Sequence, residues 1–131
     1  MDDTLKVEQT RLKTGRMDAA ATAMDLGRLL HEHNGVDVVI IDLRELSMWT
    51  DFFVIATVTS GAHLLGLQRR IKDFAVENSL PILHGNGKKT AGGDGWNICD
   101  LGFMAVHLMT EATRAFYELE NLWNGGVLIK L

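Results

Sequence analysis

The chain has little of what would tie it together from outside or carry it out of a reducing compartment. Cysteine occurs once in 131 residues, at Cys99, which excludes an internal disulfide and any zinc site built on several thiolates. Proline also occurs once, at Pro81, so a long proline-rich linker is absent and the length fits one domain. No apolar run approaches the ~20 residues that a membrane span needs. Residues 1–16 lack the apolar stretch of a secretory signal, and Asp2, Asp3 and Glu8 are foreign to an acid-poor transit peptide. Basic side chains number 13 against 17 acidic ones, a net charge of −4, so the surface as a whole repels DNA and RNA. A cytoplasmic protein that binds neither DNA nor membrane is expected.

Catalytic signatures are missing as well. Gly87 is followed by Lys88-Lys89, which breaks the P-loop pattern, and Thr90 stands where the third glycine of a dinucleotide fingerprint belongs. No serine sits in a GxSxG elbow and no HExxH occurs. His31 and His33 are two apart on an expected helix and point to different faces, while His63, His84 and His107 lie on separate elements. No metal and no cofactor is expected.

What is present is the 47% hydrophobic, 23% charged composition of a globular domain. Residues 1–16 read as a flexible arm. Helical spacing runs from Met17 to Asn34, with Gly35 free to take a left-handed stop. VDVVIIDL (36–43) reads as a central strand covered on both sides, and a second strand follows at Phe52–Thr59. Ser60 caps a helix whose Leu64, Leu67, Ile71 and Phe74 face inward. Further strands are expected at Ile82–His84, Trp96–Leu101 and Met104–Met109, with a glycine-rich loop (86–95) before Trp96 and a tight turn at Gly102-Phe103. A last helix runs from Thr110 with Phe116, Leu119 and Trp123 on its core side, until Gly125-Gly126 stops it. The expected fold is a single layered α/β domain with a mixed, about five-stranded sheet, over residues 17–124, followed by an apolar tail at 125–131.

Between Trp96 and Trp123 stand four acids (Asp100, Glu111, Glu118, Glu120), one base (Arg114) and five of the nine aromatics. Aromatics rimmed by acid suit docking to a basic protein. Trp96 opens the hairpin and reads as the apolar anchor. Asp100 lies four residues on, on the same strand face. Asp100 and Glu118 read as partners for lysine or arginine, and Tyr117 as a rim contact. Cys99 and His107, inside strands, read as core.

The segments IDLRELSMWTDFFVIATVTS, GWNICDLG, AVHLM and TRAFYELENLW resemble, in this order and spacing, the ribosomal silencing factor (Iojap) family. The resemblance runs from about Val36 to Trp123. It implies a core similar to nucleotidyltransferases without their catalytic equipment, and no enzyme activity. It further implies binding to the large ribosomal subunit through its fourteenth protein, at the intersubunit face, which blocks the small subunit and represses translation. The sequence departs from the family at Val58 (usually Gly), Phe103 (usually Asp) and Asn124 (often Asp). Phe103 would add apolar surface beside the contact face.

Two alternatives stay open. A metal-dependent nucleotidyltransferase would need an Asp-x-Asp pair to hold its metals, and none occurs. An organellar factor for large-subunit assembly would need a targeting segment. The oligomeric state, a homodimer of the free protein included, is not legible in the sequence.

Overall fold

FFVIATV and MAVHLMT are near-continuous apolar runs, and strands of this kind are stable when both their faces are covered. In the computed structural model they form β2 (Phe52–Val58) and β5 (Met104–Thr110), parallel neighbours with Ile55 opposite His107. All of β2 and the first six residues of β5 are buried. The structure describes residues 19–46, 48–83, 89–90, 93–118 and 125–129, with the backbone alone at 89, 90, 93, 94 and 117. The arm at 1–16, His84, Leu119, Glu120, Trp123 and Asn124 lie outside the described residues.

On one side of this pair β1 (Val36–Asp42) runs antiparallel to β2, and on the other β4 (Gly93–Asp100) runs antiparallel to β5. Two short strands, β3 (Lys89–Thr90) and β6 (Val127–Ile129), complete a six-stranded mixed sheet in the order β3-β4-β5-β2-β1-β6. The layered α/β fold is the expected one, with the short strands placed differently. Ile82 and Leu83 are not in a strand. Leu83 N–H donates to the Asp100 carbonyl at 2.9 Å, and one bond after Pro81 does not make a ladder. Part of the glycine-rich loop is strand instead, and the tail's Val127–Ile129 pairs with β1. Nor is β1 covered along its length. Val36 and Asp37 are exposed, a bulge interrupts the register between Val36 and Val39, and Asp37 sits at φ 49°.

The helices share one face of the sheet. From α1, helical over residues 19–32, come Ala23, Leu26 and Leu30; from α2 (Gly61–Glu77) come Leu67, Ile71 and Ala75. They bury Ile40, Phe52, Val54, Ala56, Val106 and Leu108. Ser60 caps α2 as expected, its Oγ accepting from His63 N–H at 3.0 Å. His63 then joins the helices. Its Nδ1 accepts from Thr59 N–H at 3.1 Å, so Nε2 carries the proton and donates to the His33 carbonyl at 3.0 Å. The stop of α1 divides its work between two residues. Asn34, which tolerates the left-handed region, takes φ 69°, while Gly35 N–H closes on the Leu30 carbonyl at 2.7 Å. A Cβ on Gly35 would lie 2.7 Å from that carbonyl oxygen.

The last helix is shorter than its apolar spacing suggests. It spans Glu111–Tyr117 (α3) and ends where Glu118 turns left-handed, at φ 46°, its N–H on the Arg114 carbonyl at 2.8 Å. Spacing cannot reveal such a break. Thr113 meets Gly95, and Arg114 reaches β1 and β2, which turns Phe116 outward. It is 80% exposed, contrary to its expected core position.

Candidate functional site

The other face of the sheet is built from the alternate residues of the same strands. Ile41, Phe53, Ile55, Ala105 and Met109 are buried there, with Val39, Trp96 and Ile98 half-buried beside them. Leu46 and Met48, from the 3-10 turn Arg44–Leu46 and the residues after it, cover part of this face. Hairpin pairing of β4 with β5 places Trp96 opposite Met109, Ile98 opposite His107 and Asp100 opposite Ala105. Trp96 and Asp100 therefore share this face, as period-two alternation requires.

His107 is the buried polar centre of the face, 3% exposed. Trp96 is its diagonal neighbour across the hairpin, within reach of a long aromatic side chain. The indole Nε1–H donates to His107 Nδ1 at 3.0 Å. An indole only donates, so Nδ1 is bare and the neutral ring carries its proton on Nε2. That atom has no hydrogen-bond partner among the described residues. Phe53 lies edge-to-face against the imidazole, with centroids 4.4 Å apart, and Trp49, 58% exposed, lies 5.9 Å beyond Phe53. Burial disfavours the charged ring and pushes the His107 pKa down to about 3.

Asp100 is half-buried, and its Oδ1 accepts from Gly102 N–H at 2.9 Å. One oxygen thus braces the hairpin turn, where Gly102 holds φ 92°. A carboxylate offers about four acceptor positions, so this bond leaves capacity for a cation. Phe103 does not join the face. It stands edge-on to Phe52, 6.4 Å between centroids, and packs against the helix-side core, which corrects its expected place beside the contact surface.

Glu118 lies elsewhere. It lines a crevice of about 1040 Å³ at the carboxyl ends of β2 and β5, together with Val36, Asp37, Leu64, Glu111 and Arg114. The lining includes neither Trp96 nor Asp100. Arg114 spans the crevice wall, its Nη1 donating to Thr57 Oγ1 at 2.9 Å and to the Val36 carbonyl at 3.3 Å. Tyr117 ends α3, and its side chain lies outside the described residues. The four residues expected to act together are therefore two on the sheet face and two at the end of α3. His107, which the structure joins to Trp96, was legible only as core. A turn at Gly102-Phe103 already implies the register that brings it to Trp96.

Residues 16–130 match the model of a family described as ribosomal silencing factor during starvation. The chain belongs to this family. It is 33% identical over 107 residues to the ribosomal silencing factor RsfS of Treponema pallidum, covering 82% of this chain and 94% of that protein. It is also 33% identical over 119 residues to the mouse protein named mitochondrial assembly of ribosomal large subunit protein 1, covering 86% of this chain and 51% of the relative. The chain likewise spans only about half (46%) of the chloroplast Iojap proteins of Arabidopsis thaliana and Zea mays. A crystal structure of a Chromobacterium violaceum protein shares the fold, with a TM-score of 0.66 at 24% identity over 82% of this chain and 85% of the other. Among the described residues no three His, Cys, Asp or Glu side chains converge as a metal site, and no helix is long and apolar enough to cross a membrane.

Proposed function

We propose that this protein binds the large ribosomal subunit through its fourteenth protein, at the intersubunit face, and represses translation in the cytoplasm by keeping the small subunit from joining. The observation that carries this reading is the family match over residues 16–130. The mechanism is occupancy, not catalysis: bulk seated on one subunit excludes the other. An acidic protein of net charge −4 gains nothing from counterion release on ribosomal RNA. It is drawn to a basic ribosomal protein, where complementary charge speeds encounter and fixes orientation. Trp96 is the apolar anchor of the contact and Asp100 the partner of a lysine or arginine. Tyr117 and Glu118 extend it from the end of α3.

Sedimentation on a sucrose gradient with separated subunits tests the proposal. The protein should travel with the 50S fractions and lower the 70S peak, less so when added to preformed 70S particles. Subunits that join equally well at saturating protein would overturn it. The mouse relative's name favours a second reading, a role in building the large subunit. Cells depleted of the protein would then accumulate immature large subunits before any change in subunit joining.

A further inference from the structure

The imidazole of His107 is an unexpected group to bury in the middle of a sheet. It sits on β5 between Ile98 of β4 and Ile55 of β2, and among the described residues its Nε2–H is left without a partner, an arrangement that costs free energy. A phenylalanine at this position would bring no ring nitrogen to bury, but it would offer the Trp96 indole no acceptor. One thing only an acceptor can supply is a partner for the Trp96 indole N–H, 3.0 Å away. That bond bridges from β4 to β5 and holds a half-buried residue on the same sheet face as Asp100.

We infer that His107 is a positioning residue: by accepting from Trp96 Nε1–H it fixes the indole in one orientation before docking, and so sets how tightly a partner is held at that face. The inference rests on the proposed use of Trp96 as the anchor. Fixing a side chain in its bound rotamer removes an ordering cost from association. The acceptor role also specifies the tautomer, since the Nε2–H form alone leaves Nδ1 bare for the indole. Phe53 supports the imidazole from the other side, with ring planes 72° apart, so the orientation is passed from the central strand β2 to the edge of the hairpin.

Two readouts on the full chain test this. In the free protein, the indole N–H resonance of Trp96, assigned by its loss in Trp96→Phe, should be protected from solvent exchange. It should lose that protection in His107→Phe and regain it at least partly in His107→Gln, whose amide oxygen can accept. Binding to isolated large subunits should weaken about two- to tenfold in His107→Phe, the worth of one hydrogen bond, and recover in His107→Gln. In a Trp96→Phe background the same His107→Phe change should have no further effect on affinity, whereas a merely structural role would weaken both backgrounds alike. Unchanged indole protection in His107→Phe, or additive losses in the double variant, would overturn the inference. Wild-type protein that fails to bind large subunits would overturn the proposed function instead, and the indole protection would then decide the role of His107 by itself.

Discussion

The two faces of the sheet use the same strands for different ends. Toward the helices the buried residues are almost all hydrocarbon. A buried polar group there, Asn97, accepts at Oδ1 from Gln68 Nε2 at 2.7 Å. Toward the other side the chain places rings: Trp96, His107, Phe53 and Trp49 follow one another across β4, β5, β2 and the turn before β2. Among the described residues, the buried Nε2 of His107 has no partner there. A satisfied hydrocarbon layer maximises stability, while a layer with an unsatisfied polar atom gives up some of it. That asymmetry places the larger share of stability on the helix face, and the proposed contact uses the ring face.

The largest expected effect breaks the helix face. Phe52 is fully buried in the helix-side core, and Phe52→Ala should destabilise by about 3–5 kcal/mol in urea unfolding. Affinity for large subunits, corrected for the folded fraction, should stay near the wild-type value. A larger loss of affinity than of stability would erase the division between the faces.

Trp96→Ala should do the reverse. It should weaken binding about thirtyfold, roughly 2 kcal/mol, and destabilise the fold less than Phe52→Ala, by about 1–3 kcal/mol for the His107 nitrogen left without its donor. If it unfolds the protein as readily as Phe52→Ala does, Trp96 is core and leaves the contact.

The smallest effect sharpens the comparison through pH. Unfolded, the His107 imidazole titrates near 6.5; folded, it titrates at about 3. Between those values the unfolded chain binds a proton that the folded one refuses, so stability falls as pH falls, by at most about 1.4 kcal/mol per unit. His107→Gln removes this component. Between pH 7 and pH 5 the variant should lose about 1–2 kcal/mol less than the wild type in urea unfolding, and equal losses would mean that the imidazole charges as easily folded as unfolded.

How much of this was legible beforehand depends on range. Ser60 as a cap, the inward stripe of α2, the two central apolar strands and the Gly102 turn are local matters, fixed by hydrogen bonds and periodicities within a few residues of chain. The shared face of Trp96 and Asp100 follows from alternation in the same way. The short strands were not legible, because three residues such as Val127–Ile129 become a strand only when β1 offers them an edge. The break of α3 was hidden because Leu119 and Trp123 continue a helical spacing past a left-handed Glu118, and a period in hydrophobicity says nothing about one residue's φ.

The sequence by itself determined the family, the layered α/β class and the residues proposed to meet a basic partner. Only the tertiary structure decided which of those residues stand together. Trp96 finds His107 through a hairpin register, and Glu118 is carried to the crevice by Arg114 reaching across to Thr57 and Val36. Composition and spacing act along the chain, whereas a site is assembled from side chains that meet only after loops have closed and strands have paired.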